Sequence, residues 1–194
     1  ALVICPASVM QVWADQAAKF CPDLSVVIWS GGRQKRRQTF AATSCDLLVT
    51  HYGMARIEAA LLSSRNFTFV ILDEAQAIKN PDALVSRAVK RLPCQHRIAI
   101  TGTPLENKLL DLWSIMDFLN PKLLGPKESF LGPSCISPSE LRSRLSLLLL
   151  RRSKSLVAAE LPPRIVEVLP VEFDAAQRDF YNRTMVETKQ RIKT

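Results

Sequence analysis

The chain has 194 residues, 47% of them hydrophobic, enough for one substantial core and, at roughly 150 residues per domain, for one domain with an appendage. Its longest apolar run, LSLLLL at 145–150 with Arg151 and Arg152 behind it, falls far short of the ~20 residues that span a bilayer, so no membrane partner is expected. A formal charge of +8 suits a polyanionic partner, while five cysteines without a CxxC pair or a His cluster argue against a zinc site or disulfide framework and for reduced core thiols.

The opening residues, ALVICPASVM, lack an initiator Met and a basic leader, so a signal peptide is a poor reading and the chain is expected to begin inside a longer one. Short apolar runs then alternate with longer amphipathic ones, the rhythm of an α/β fold. The predicted strands are residues 2–5, 24–29, 46–50, 67–73 and 97–101; several are apolar throughout, as parallel strands covered on both faces must be. Helices are predicted near 8–20, 33–41, 53–64, 82–91 and 106–119. The fourth should start at Asn80, with Pro81 in the first helical position and Asp82 at the positive end of the dipole.

After Pro121 the pattern breaks into a turn-rich stretch, 125–139, followed by a basic helix predicted over 140–154. A strand-like stretch at 164–173 and a capped helix over 174–193 close the chain. The expected organisation is therefore a lobe at 1–124, a helical protrusion at 125–160, and a closing strand and helix at 161–194.

Chemistry concentrates in VILDEAQ, residues 70–76. An acidic pair at the end of a buried strand sits rigidly at the carboxyl edge of the sheet, where open α/β folds bind ligands. In phosphoryl transfer one carboxylate can serve a magnesium ion and a second the attacking water, so Asp73 is the candidate metal ligand and Glu74 the water-orienting group. Alone, the string would equally fit an exposed acidic pair capping the next turn. Thr101, Gly102 and Thr103 form a polar elbow one strand later, where hydroxyls could bond the carboxylates; TGTP also reads as a helix-entry turn.

Together these segments identify the chain as a member of the Swi/Snf-type ATPases of helicase superfamily two, resembling the first RecA-like lobe of that family. LVICPASVMQVWADQAAKF (2–20) is similar to its first DNA-contacting segment, DLLVTHYGMAR (46–56) to the next, ILDEAQAIKN (71–80) to its acidic box and ITGTPLENKLLDLWSIMDFLNP (100–121) to its coupling motif. Residues 149–181 resemble the exit from the lobe.

The resemblance implies a three-layer RecA-like lobe with a mostly parallel sheet, ATP and Mg²⁺ as cofactors, and duplex DNA held through its phosphate backbone. It implies catalytic roles for Glu74, Gln76, Thr101 and Thr103, nucleotide contacts from Asp73 and Glu74, and metal binding by Asp73. DNA contacts are implied for Pro6, Ala7, Ser8, Thr50, Lys79, Asn107, Arg151 and Arg152.

The chain departs from the family in two places. None of its six glycines is followed by Lys, so a GxxxxGK[ST] phosphate loop is missing. By the resemblance that loop lies upstream of Ala1 and a second RecA-like lobe beyond Thr194. The acidic box reads DEAQ where many relatives carry His, so Gln76 keeps a hydrogen-bonding role but cannot titrate. The expected function is a DNA-dependent ATPase that translocates on duplex DNA inside the cell, in cytoplasm, nucleoid or nucleus, and is inactive as this fragment. The protein it displaces is not legible. A non-catalytic docking module derived from such a lobe is the alternative, and strand separation is a second rival.

Two stretches have simpler readings. The run RQKRRQ at 33–38 reads as a solvated helix face, and Trp13 as core packing. His51 and His96 have no metal partner and no assigned role.

Overall fold

The structure, a computed structural model, describes residues 1–42, 44–102, 109–132, 136–152 and 167–192. Five strands, β1 (Leu2–Cys5), β2 (Val26–Ile28), β3 (Leu47–His51), β4 (Phe67–Asp73) and β5 (Cys94–Ile100), pair in parallel in the order β2-β3-β1-β4-β5. The chain moves outward from β1 to β2, returns to β3, then crosses β1 to reach β4 and β5. Right-handed crossovers put the helix of the outward move on one face and the helices of every return move on the other.

That is the arrangement found. α1 (Met10–Phe20), entered through a 3-10 turn at Ala7–Val9, packs with Trp13 and Ala17 against Val3, Cys5 and Val49. On the opposite face Leu2, Ile4, Leu48, Val70 and Leu72 meet α2 (Arg33–Ala42), α3 (Tyr52–Ile57), α4 (Ala59–Ser63), α5 (Leu84–Lys90) and α6 (Leu109–Leu119). Strand residues alternate between the two cores, which is why β1 is apolar at every position and wholly buried. The three-layer expectation holds.

Several boundaries differ from the sequence reading. The helix expected over 53–64 breaks into α3 and α4 at Glu58 (φ −105°, ψ 24°), whose side chain is drawn inward to an ion pair with Arg36. Asn80 does not cap α5. Its Oδ1 accepts from the Asp82 N–H (3.0 Å), a local turn that competes with the helix, and α5 begins at Leu84 after an N-cap, Ala83, without a side-chain bond.

α7 (Lys127–Leu131) and α8 (Pro138–Leu145) follow. The basic helix expected over 140–154 stops at Leu145, whose carbonyl accepts from both Leu148 and Leu149 N–H groups at 3.0 Å. The strand expected over 164–173 is not formed in its described part, 167–173, which pairs with no neighbour. α9 (Ala175–Ile192) has its cap: Asp174 Oδ1 accepts from the Gln177 N–H (2.8 Å), and Gln177 Oε1 from the Asp174 N–H (3.3 Å). The chain divides into two compact units, Ala1–Ser143 and Arg144–Thr194. Among the described residues no helix is long and apolar enough to cross a membrane.

The four described cysteines are free. Burial, with the Asp73 carboxylate as a second cause, pushes the Cys5 thiol up from 9.0 to about 11. Cys21 is exposed. At mildly alkaline pH, iodoacetamide is expected to label Cys21 and spare Cys5 until the protein unfolds, as peptide mass spectrometry would show. Because the folded state keeps the Cys5 proton longer than the unfolded state, this group makes stability fall as pH rises from 9.0 to about 11.

Candidate active site at the carboxyl edge of the sheet

Alternation along β4 sends Val70 and Leu72 into the larger core and turns Asp73 onto the face that α1 covers. There its carboxylate is held twice. Oδ2 accepts from the Trp13 indole Nε1–H at 2.8 Å, and Oδ1 from the Glu74 N–H at 3.0 Å. The next residue, Glu74, adopts a left-handed conformation (φ 53°, ψ 55°), which is rare and costly for a residue with a Cβ and typical of functional turns. The turn leaves the Glu74 side chain exposed at the sheet edge before a 3-10 turn, Ala75–Ile78, carries the chain away.

Gln76 Nε2 donates to Glu74 Oε2 (2.7 Å), and Thr101 Oγ1 donates to Gln76 Oε1 (2.7 Å). β4 and β5 are neighbours in register Asp73 with Ile100, so Thr101 and the acidic pair share one edge, as expected. The link between them runs through Gln76. Tyr52 OH donates to the Asp73 carbonyl (2.8 Å) and lies 3.4 Å from that of Glu74. Burial first, and the Asp73 carboxylate second, push the phenol well above its ordinary value, so it stays a donor.

The candidate DNA contacts separate. Ala7 and Ser8 are exposed and Pro6 half-buried in the turn after β1; Lys79 is exposed behind the acidic turn. Thr50 is a correction: it is fully buried, and its hydroxyl donates to the Trp29 carbonyl at 3.0 Å, so it cannot offer that hydroxyl to a phosphate. Alternation along β3 puts Thr50 on the same face as Leu48, inside the larger core. Arg151 and Arg152 are exposed in the second unit, while Thr103 and Asn107 lie outside the described residues. His51 gains a local role, accepting at Nδ1 from the Met54 N–H (3.3 Å) to cap α3.

Two site residues were missed by the sequence reading, Trp13 and Tyr52. Each is a half-buried aromatic whose single polar atom needs a partner. The signal for Trp13 was parity: Asp73 shares a face with Ile71, and α1 is the helix on that face.

Among the described residues no cluster of three or more His, Cys, Asp or Glu could hold a metal by itself. Magnesium asks for less, since it keeps several waters and takes one or two carboxylates together with substrate phosphates. A carboxylate offers about four acceptor positions, and Asp73 uses two, so the donor set fits such an ion.

A five-stranded parallel sheet with an acidic pair, a coupled Gln–Thr and the turn after β1 on one edge is the architecture of a nucleotide-hydrolysing motor lobe. Residues 1–194 match the SNF2-related domain, and the chain belongs to that family. It is 33% identical over 197 residues to an uncharacterised ATP-dependent helicase of Mycoplasma genitalium, covering 99% of this chain and 19% of the relative. It is 32% identical over 201 residues to the TATA-binding protein-associated factor MOT1 of Saccharomyces cerevisiae, covering 93% of this chain and 11% of that protein. The SWI2/SNF2 ATPase core of Sulfolobus solfataricus, solved in complex with double-stranded DNA, superposes with a TM-score of 0.69 at 37% identity over 81% of this chain and 35% of that one. The chain thus spans about a fifth or less of the length of these curated relatives.

Proposed function

We propose that the full-length protein is a DNA-dependent ATPase that translocates along duplex DNA and remodels protein bound there, within the cell's nucleoid, cytoplasm or nucleus. The observation that carries this reading is the hydrogen-bonded series Thr101, Gln76, Glu74 beside Asp73, on the same sheet edge as the exposed turn Pro6–Ser8. Asp73 and Glu74 contribute to the nucleotide site. Asp73 is the residue that would hold magnesium, which when bound neutralises phosphate charge. Glu74 orients the water and accepts its proton. Gln76 holds Glu74, and Thr101 holds Gln76, so the state of the strand behind them reaches the acid directly.

Backbone amides and the Ser8 hydroxyl in the turn after β1 meet DNA phosphates without reading bases, with Lys79, Asn107, Arg151 and Arg152 as further contacts. A second RecA-like lobe in the longer protein completes the proposed motor. The groups that grip the nucleotide phosphates come from elsewhere in the longer protein. Phe69, Ile98 and Ile100 support this, being large apolar side chains exposed on the face that α1 leaves bare beside β5.

The test is phosphate release by the full-length protein with and without duplex, together with displacement of a triplex-forming strand. Duplex-stimulated turnover with triplex displacement and no fork unwinding is expected. Turnover indifferent to duplex would overturn the reading. The 194-residue chain alone should bind duplex weakly and release no phosphate. If two or three phosphates are neutralised, its affinity should fall roughly 10- to 40-fold for a fourfold rise in salt, read by anisotropy with two unrelated sequences.

A further inference from the structure

Asp73 is gripped from two directions by residues that follow the ends of β1 and β3. Trp13 sits in the first turns of α1, directly after the exposed turn Ala7–Val9 that leaves β1. Its indole reaches across to the Asp73 carboxylate, 60 positions away in sequence. Tyr52 is the first residue of α3, directly after the end of β3, and its phenol reaches the Asp73 carbonyl. One bond fixes the carboxylate and the other fixes the backbone that carries it.

Neither aromatic is free to move by itself. Trp13 is packed with Val3, Cys5, Val49 and Ile71, and Tyr52 against the larger core. A shift of either strand end must therefore move the donor with it. Hydrogen bonds of 2.8 Å tolerate only a few tenths of an ångström before they weaken, so such a shift changes how Asp73 is held.

We propose that Trp13 and Tyr52 are positioning residues that couple occupancy of the turn after β1 by duplex to the geometry of the Asp73–Glu74 turn. The inference rests on the ATPase reading above. It adds the route by which duplex stimulates turnover: the polyanion seats on the turn Pro6–Ser8, α1 settles with it, and the indole sets the Asp73 carboxylate. Tyr52 holds the carbonyl on the far side, so the turn at Glu74 is clamped between two strand ends and not merely appended to β4.

The experiment compares Trp13→Phe, Tyr52→Phe and Glu74→Gln in the full-length protein. Each Phe keeps an apolar ring and removes one donor. Duplex affinity should stay within about twofold of wild type, whereas the ratio of duplex-stimulated to duplex-free turnover should fall about tenfold for Trp13→Phe, the loss of one charge-assisted bond. About threefold is expected for Tyr52→Phe, whose acceptor is neutral.

A second readout does not depend on turnover. In 5-fluorotryptophan-labelled protein, the fluorine resonance absent from Trp13→Phe belongs to Trp13. It should move when a short duplex is added, and move also in Asp73→Asn. A Trp13→Phe variant that melts like wild type and keeps the full stimulation ratio overturns the proposal. Should that variant fail to fold, the stimulation ratio of Tyr52→Phe decides, and a wild-type ratio there overturns the proposal. Turnover that survives in Glu74→Gln would instead sink the role given to Glu74, and wild-type turnover indifferent to duplex the ATPase reading itself, so the failures are told apart.

Discussion

In the full-length protein, Glu74→Gln is expected to lower turnover by roughly 10²- to 10⁴-fold at saturating ATP and duplex while ATP binding persists. The substitution keeps the shape of the side chain, and the amide can still accept from Gln76 Nε2 as the carboxylate does now at 2.7 Å. On the proposed mechanism it removes the proton acceptor for the attacking water. Asp73 is untouched, because its own donors are the Trp13 indole and the Glu74 N–H, a backbone group that the substitution retains. Asp73→Asn should behave differently, weakening nucleotide binding as well as turnover, since it deletes the charge proposed to hold the metal and, through it, the phosphates. Steady-state phosphate release and the equilibrium affinity for nucleotide, measured on both variants, check the division of labour. Equal turnover by wild type and Glu74→Gln would refute it.

The second large effect concerns stability. Arg36 and Glu58 form an ion pair with side chains only 10% and 9% exposed. Arg36 also donates to the Gly31 carbonyl, and its own carbonyl accepts from Trp29 Nε1 at 3.0 Å. Removing one member, as in Arg36→Ala, leaves a buried unpaired carboxylate and should cost about 3–5 kcal/mol. The double variant Arg36→Met with Glu58→Leu should cost far less, because Met and Leu fill the volume and no charge is stranded. The pair is imperfectly satisfied in any case: among the described residues Arg36 Nε has no hydrogen-bond partner. Urea titration of Arg36→Met, Glu58→Leu and the double closes a mutant cycle, and additive losses would show that the two side chains do not interact.

The same residue shows where local reading stops. RQKRRQ has the composition of a solvated face, and Arg33 and Arg37 are indeed exposed. Arg36 is 8% exposed because α2 lies over the larger core, and Glu58 arrives from the break between α3 and α4 to meet it. Nothing in a run of six residues reports that distant carboxylate. The Asn80 misreading is of the opposite kind, a contest between two local patterns: the side chain could cap a helix or close a turn, and its bond from the Asp82 N–H closes a turn ahead of a helix that starts only at Leu84.

The sequence by itself determined the parallel strands, the acidic pair at the end of β4, Thr101 just past the next strand and the cap of α9 at Asp174. These follow from apolar runs, alternation and short-range hydrogen bonds, all of which act within a few residues. Only the tertiary structure decided that β1 lies between β3 and β4, and with it everything that depends on which strand ends are neighbours. Strand order put Trp13 and Tyr52 on Asp73, and the side-chain parity of β3 took Thr50 out of reach of a phosphate. A polar atom's partner is set by distance across the sheet, and that distance comes from the packing of both cores.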